Sequence, residues 1–331
     1  MGNWAAFRRT WSSREGGAGS VTSGSVSSPV MGGARAIRQA IDWGELGPLR
    51  LRARQVAEGA YAGLHRSALR GAGVEFGGYR EYVAGDDLRR LDRRSLLRHQ
   101  RLLVRQFETE TDRALCLVVD ASASMSFRGP GAKASKIAFA AVAAAALARI
   151  AIANGDPVSV TFLGDERVQS IAPSSGREQF ERIVAALEVL EPGGDAFDDP
   201  GMLDRALVSL ARVARRGAIV VVLSDLLDWA PGAPEKVASL ASSGRVLAVV
   251  QTLDPAEARF PFSGTVRLRA LEGGRVIETD ADATRTAYLA ALAELTGAWR
   301  ESLARRGGRF LSSTTNESLI ALVRSIVQTI R

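Results

Sequence analysis

The sequence has little of what builds cross-linked or histidine-rich sites. It holds one cysteine, Cys116, and two histidines, His65 and His99, in 331 residues. A single thiol excludes an intrachain disulfide, and two distant histidines exclude a His-rich zinc centre. Cys116 falls inside an apolar run and reads as a buried thiol. That reading is in keeping with a reducing compartment, and the expected location is the cytoplasm. Lysine is missing from the first 110 residues, which carry 18 arginines against 11 acidic residues and so hold the whole net charge of +7. No G-x-x-x-x-G-K-S/T phosphate loop occurs, and no G-x-S-x-G elbow with a histidine partner. Arg8–Arg9 is not followed by an apolar stretch, which argues against an export signal. With 46% hydrophobic and 24% charged residues, the chain has the composition of a globular protein of one large or two small domains.

What is present centres on Leu115–Met125, LCLVVDASASM. An apolar run closed by polar residues reads as a buried parallel strand. Asp120, Ser122 and Ser124 then alternate along a loop at its C-terminal end, just before an Ala-rich helix. Open α/β sheets place their ligand sites there, and three hard oxygens suit Mg2+. The alternative is helix capping by the same residue types. A second apolar run from Ala218 ends in Asp225, followed by Asp228, so two strands deliver carboxylates to one edge.

The remaining pattern is α/β. Lys133–Asn154 is apolar almost all round and reads as a helix buried against the sheet rather than a membrane span. Strands are expected at Val158–Leu163, Val168–Ile171 and Gly244–Leu253, and a hairpin at Thr265–Leu271 with Arg275–Thr279. Helices are expected at 35–62 (in short pieces), Arg177–Leu190, Met202–Ala214, Thr284–Arg306 and Glu317–Arg331. Strands alternating with helices predict a largely parallel sheet. Three regions follow: a disordered Gly/Ser-rich tail at 1–34, an N-terminal segment at 35–112 and an α/β domain at 113–331. Between 89 and 105 seven arginines face one acid, Asp92. A phosphate-contacting surface is one reading. Pairing with Asp86, Asp87, Asp92, Glu108 and Glu110 is the more economical one, because base-stacking aromatics are absent there.

The run Gly71, Gly73, Glu75, Phe76, Arg80, Glu81, Tyr82, Gly85, Asp86, Asp87, Arg89 or Arg90, Asp92, then Val104, Arg105, Phe107, Glu108, Glu110, leads into Asp120. As a composite it resembles the MoxR-associated family of unknown function that carries a von Willebrand factor A-like domain. The likeness covers roughly residues 60–331. It implies a Rossmann-like, mostly parallel sheet with helices on both faces, preceded by a Gly/Arg-rich family segment. It implies that Asp120, Ser122 and Ser124 belong to a metal-ion-dependent adhesion site, with Asp225 at the closing position. It gives Arg80, Tyr82, Gly85, Asp86, Asp87, Arg90 and Asp92 a structural or partner-contact role. The family's middle-loop threonine is missing, since no threonine lies between Thr161 and Thr252. In the corresponding loop, EPGGDAFDDPGM, Asp195 is the first choice for that position, with Asp198 and Asp199 as alternatives. The glycine that usually follows the closing Asp is here Leu226.

The expected function is therefore a non-enzymatic, Mg2+-dependent protein-binding module. As the resemblance implies, it would be an adaptor to a MoxR-type AAA+ ATPase in assembling or maturing a client that offers an acidic residue. No small-molecule substrate is expected. The alternatives are a nucleic-acid-binding protein using residues 89–105 and a metal-dependent hydrolase.

Overall fold

The computed structural model describes residues 40–65, 76–81, 103–107, 113–164, 169–193, 201–227, 229–242, 244–269, 271 and 276–330. The expected tail at 1–34 lies outside them, as do Asp195, Asp198, Asp199 and Asp228. Of the family-segment residues, Arg80 is described, in a strand; Tyr82, Gly85, Asp86, Asp87, Arg90 and Asp92 are outside.

The N-terminal part contributes α1 (Leu49–His65) and an antiparallel pair, β1 (Phe76–Glu81) with β2 (Leu103–Phe107). The domain that follows contains β3 (Leu115–Asp120), α2 (Lys136–Ala153), β4 (Val158–Leu163), β5 (Gln169–Ser174), α3 (Arg177–Glu188) and α4 (Met202–Val213). Next come β6 (Ile219–Ser224), α5 (Ala233–Ala238), β7 (Val246–Leu253) and α6 (Pro255–Arg259). The hairpin β8 (Thr265–Arg269) and β9 (Val276–Asp280), then α7 (Ala281–Arg305), β10 (Arg309–Thr314) and α8 (Leu319–Thr329), complete it.

The main sheet runs β10-β7-β6-β3-β4-β5. All its pairings are parallel except β4 with β5, an antiparallel edge. This is the mostly parallel α/β architecture expected from the sequence. The chain builds outward from β3 in one direction through β4 and β5, then returns to lay β6, β7 and β10 on the other side. The crevice where the order reverses lies between β3 and β6, the place where open α/β sheets bind ligands.

Alternation along β3 feeds two cores. Leu115, Leu117 and Val119 pack on one face with α1, α2, α3 and α8. Cys116 and Val118 pack on the other with α4, α5 and α7. The unbroken apolar run is thus that of a strand covered on both faces. The all-round apolar character of α2 has a similar cause: the sheet covers one side, while α1 and α8 cover the other. From α1, Leu49, Ala53, Val56, Ala57 and Ala60 join this core, spaced as one helical stripe. Length and apolarity alone would let α2 cross a membrane; here it is the middle layer of the domain.

The stretch before α1 grips the loop that leads into α2. Glu45 N donates to Lys133 O at 2.9 Å, Ser135 Oγ to Asp42 O at 2.9 Å, and Arg128 pairs with Asp42 at 3.0 Å. At the other end of the fold, Asp280 caps α7 by accepting from Asp282 N and Ala283 N. The helix therefore starts at Ala281 rather than at the expected Thr284, because an Asp N-cap fixes the first turn.

Cys116 is wholly buried, and burial raises its thiol pKa. A maleimide is expected to label the native protein negligibly and to label it quickly in urea; fast native labelling would contradict this placement.

Candidate functional site

β3 ends at Asp120 and β6 at Ser224, so adjacent parallel strands bring two acidic loops to the same edge. Asp120, Ser122, Ser124, Ser224 and Asp225 are all buried there. Ser122 N donates to Asp120 Oδ1 at 2.9 Å, closing a tight turn that carries the loop around the carboxylate. The Ser122 and Ser124 hydroxyls lie 3.1 Å apart. The structure thus gathers the three alternating residues of the loop. Asp120 Oδ2 accepts from Ser224 Oγ at 2.5 Å and from Trp229 Nε1 at 3.1 Å. Burial, then the nearby charge of Asp225, raise the Asp120 pKa, against the hydrogen bonds from Ser224 and Ser122.

Asp225 is engaged on both oxygens. Lys136 Nζ donates to Oδ2 at 2.7 Å, and Leu227 N donates to Oδ1 at 3.0 Å. The same ammonium donates to Glu257 Oε1 at 2.6 Å. Lys136 is entirely buried at the first turn of α2. Burial works against its charge, yet Asp225 and Glu257 hold its pKa well above the usual lysine value. Glu257 belongs to a capping box at the start of α6, where its Oε2 accepts from Asp254 N at 2.9 Å. Its own pKa is raised by burial and by Asp225, with Lys136 opposing. Tyr288 of α7 lies close by, its hydroxyl pKa raised by burial and by Glu257. One ammonium therefore serves Asp225 and Glu257, while Asp120 has neutral donors.

Leu226 occupies φ +64°, in the left-handed region. That explains the glycine usual in this position, since L residues pay about 1–2 kcal/mol there. Leu226 has no exposed surface and joins the core on the α4–α5–α7 side, so its burial offsets the strain.

Spacing revealed Asp120, Ser122, Ser124 and Asp225. It did not reveal Lys136, Ser224, Trp229 or Glu257. Lys136 had a signal, a cation opening a helix that is otherwise apolar apart from Arg149; Ser224 had only its place beside Asp225. Asp195 lies outside the described residues, and so does most of the arginine-rich stretch 89–105, of which β2 includes Arg105.

The donor chemistry fits a hard divalent cation: a carboxylate and two hydroxyls on one loop, in a buried region where, among the described residues, Asp120, Asp225 and Glu257 outnumber the Lys136 ammonium. Among the described residues no group of three or more His, Cys, Asp or Glu side chains is placed to hold a metal. Among the described residues the set is one carboxylate plus hydroxyls, an open shell that Mg2+ would complete with water or an incoming oxygen.

Fold and loop together define an open, doubly wound α/β domain with an acid-and-hydroxyl loop at its switch point. The chain belongs to the family described as Protein of unknown function DUF58, which it matches over residues 78–296. Uncharacterized proteins of Mycobacterium tuberculosis and Mycobacterium bovis are 29% identical to it over 239 residues, 71% of this chain and 72% of theirs. Among solved structures it is similar to an aerotolerance-related membrane protein from Bacteroides fragilis, at 20% identity and TM-score 0.43, over 66% of this chain and 98% of that one. BatB from Bacteroides thetaiotaomicron is similar at 20% and 0.42, over 66% and 98%. A von Willebrand factor type A protein from Catenulispora acidiphila is similar at 11% and 0.41, over 68% and 43%.

The cytoplasmic location expected from the sequence is corrected by the Bacteroides fragilis finding, because that similar chain is a membrane protein. The physical reason is that an α/β domain of ordinary composition folds equally well free or tethered. Its composition and single thiol do not set its compartment.

Proposed function

We propose that this protein is a non-enzymatic, cation-dependent binding module, an adaptor that works with a MoxR-type AAA+ ATPase in assembling or maturing another protein. The observation that carries the reading is the convergence of Asp120, Ser122 and Ser124 at the switch-point edge of the sheet, with their hydroxyls 3.1 Å apart. These residues would hold Mg2+, with the charge of Asp225 beside them and Asp195 as a further contributor. Bound there, the ion supplies an electrophilic point that takes an acidic side chain of a client. Asp120 is held on both oxygens by Ser122, Ser224 and Trp229. Such an arrangement fixes a ligand in place and suits binding better than proton abstraction, which needs a base free to move its proton. The ATPase partnership rests on the family resemblance.

Calorimetric titration of Mg2+ and Mn2+ into the wild type and Asp120→Ala tests the site. Saturable one-site binding is expected in the wild type, with loss in the variant and a rise in unfolding temperature on cation addition only in the wild type. Equal heats in both proteins would remove the site. Capture of a MoxR-type ATPase is then expected with Mg2+ and not with EDTA.

A further inference from the structure

By the family resemblance, Asp225 at the closing position would complete the ion's ligand set. The side-chain pairing of Asp225 points elsewhere. Its Oδ2 is 2.7 Å from Lys136 Nζ and its Oδ1 accepts from Leu227 N at 3.0 Å. Lys136 in turn spans to Glu257 at 2.6 Å. The ammonium is fully buried, and it is the first residue of a helix locked between the sheet and α1. It therefore has little freedom to release Asp225. Asp120, by contrast, has neutral donors among the described residues, from Ser122, Ser224 and Trp229.

We propose that Lys136 sets the strength of this cation site: it engages Asp225, so that Asp225 acts on the ion through a charge pair and not as a ligand. The proposal rests on the cation reading above. It makes Lys136 a positioning residue with two opposed effects. It holds the β6 loop against α2 and α6, and its positive charge keeps cation affinity below what three free acids would give. A weak site of this kind gains most from a partner's carboxylate, because the protein's own second acid is withheld. Binding of client and ion then become mutually dependent.

Terbium luminescence tests this directly. Trp229 Nε1 lies 3.1 Å from Asp120 Oδ2, so an ion bound by Asp120 sits beside an indole able to sensitise Tb3+. Full-length wild type, Asp120→Ala, Asp225→Asn and Lys136→Met are titrated with Tb3+, and Mg2+ competition is followed by loss of emission. Sensitised emission is expected in the wild type and lost in Asp120→Ala. Asp225→Asn is expected to keep it, with affinity within about tenfold of wild type, as for loss of a nearby charge rather than a ligand. Lys136→Met is expected to bind at least about tenfold more tightly, since a like charge has been removed and Asp225 freed. If Lys136→Met does not fold, Asp225→Asn decides alone, because it retains the Lys136–Glu257 pair. Loss of emission in Asp225→Asn equal to that in Asp120→Ala would make Asp225 a ligand and overturn the proposal while leaving the cation site standing. A wild type without Mg2+-displaceable emission would overturn the cation reading, and this role of Lys136 with it.

Discussion

Lys136→Met is expected to lower the stability of the folded protein by about 3–5 kcal/mol, the usual cost of removing one partner from a buried ion pair. The Lys136 side chain is wholly buried and is 2.7 Å from Asp225 and 2.6 Å from Glu257. Methionine fills a similar volume, so the cavity term is small; the loss is electrostatic. Two carboxylates remain in a region that water reaches poorly, with no cation to offset their desolvation. Urea unfolding should show a lower midpoint with an unchanged slope. The deficit should also depend on pH. Glu257 is raised by burial even with Lys136 beside it, and it climbs further once Lys136 is gone. A carboxyl whose folded pKa exceeds its unfolded value binds more protons when folded, so the folded state is favoured below the unfolded pKa and loses that advantage as pH rises through the folded one. Lys136→Met is therefore expected to approach wild-type stability near pH 4 and to fall furthest behind at neutral pH. The triple variant Lys136→Met, Asp225→Asn, Glu257→Gln should regain most of the loss, because all three charges leave together. A deficit independent of pH, unchanged in the triple variant, would show that Lys136 acts by packing alone.

This network also marks where the sequence stops being legible. The strands could be read because each is a short apolar run covered on both faces. β3 at Leu115–Asp120 and β4 at Val158–Leu163 fall where the runs place them. The loop could be read because its three oxygens are neighbours in sequence. The pairing of Lys136 with Asp225 could not, because its partners are 89 residues apart, and periodicity describes a face rather than what meets it. The sequence shows Lys136 only as a cation within a run that is apolar almost all round; in the fold its ammonium meets Asp225 and Glu257 where that helix opens at an acidic edge. Edge detail was lost for a similar reason. β5 runs from Gln169 to Ser174 and is mostly exposed, so it lacks the apolar run that would have fixed its end. The departure at Leu226 is a third case. A missing glycine signalled a changed site, whereas the backbone keeps the left-handed turn and the leucine compensates by burial.

Gly164→Ala should couple loss of stability to loss of cation binding. Gly164 follows β4 at φ +130°, a region essentially closed to residues with a Cβ. A Cβ there would lie 2.3 Å from Ser122 N, 2.4 Å from Ala121 C and 2.6 Å from Ala121 O. These are backbone atoms and cannot swing aside as a flexible side chain would. They are also gripped, since Ala121 N donates to Leu163 O at 2.5 Å and Gly193 N donates to Ala121 O at 2.9 Å. The alanine must therefore push the Asp120–Ser124 loop away from β4. That breaks the turn from Ser122 N to Asp120 Oδ1 and separates the hydroxyls of Ser122 and Ser124. Gly155→Ala is the matched control: its φ is +88°, but a Cβ there meets nothing within 4 Å, so only the backbone term of about 1 kcal/mol applies. Gly164→Ala is expected to cost on the order of 3 kcal/mol or more, the backbone term plus the clash, and to weaken Mg2+ binding at least about tenfold, as misplaced ligands do. Urea midpoints and Mg2+ titrations of the two variants side by side provide the measurement. If both lose the same stability and both bind Mg2+ like the wild type, the contact between Gly164 and the loop does not shape the site.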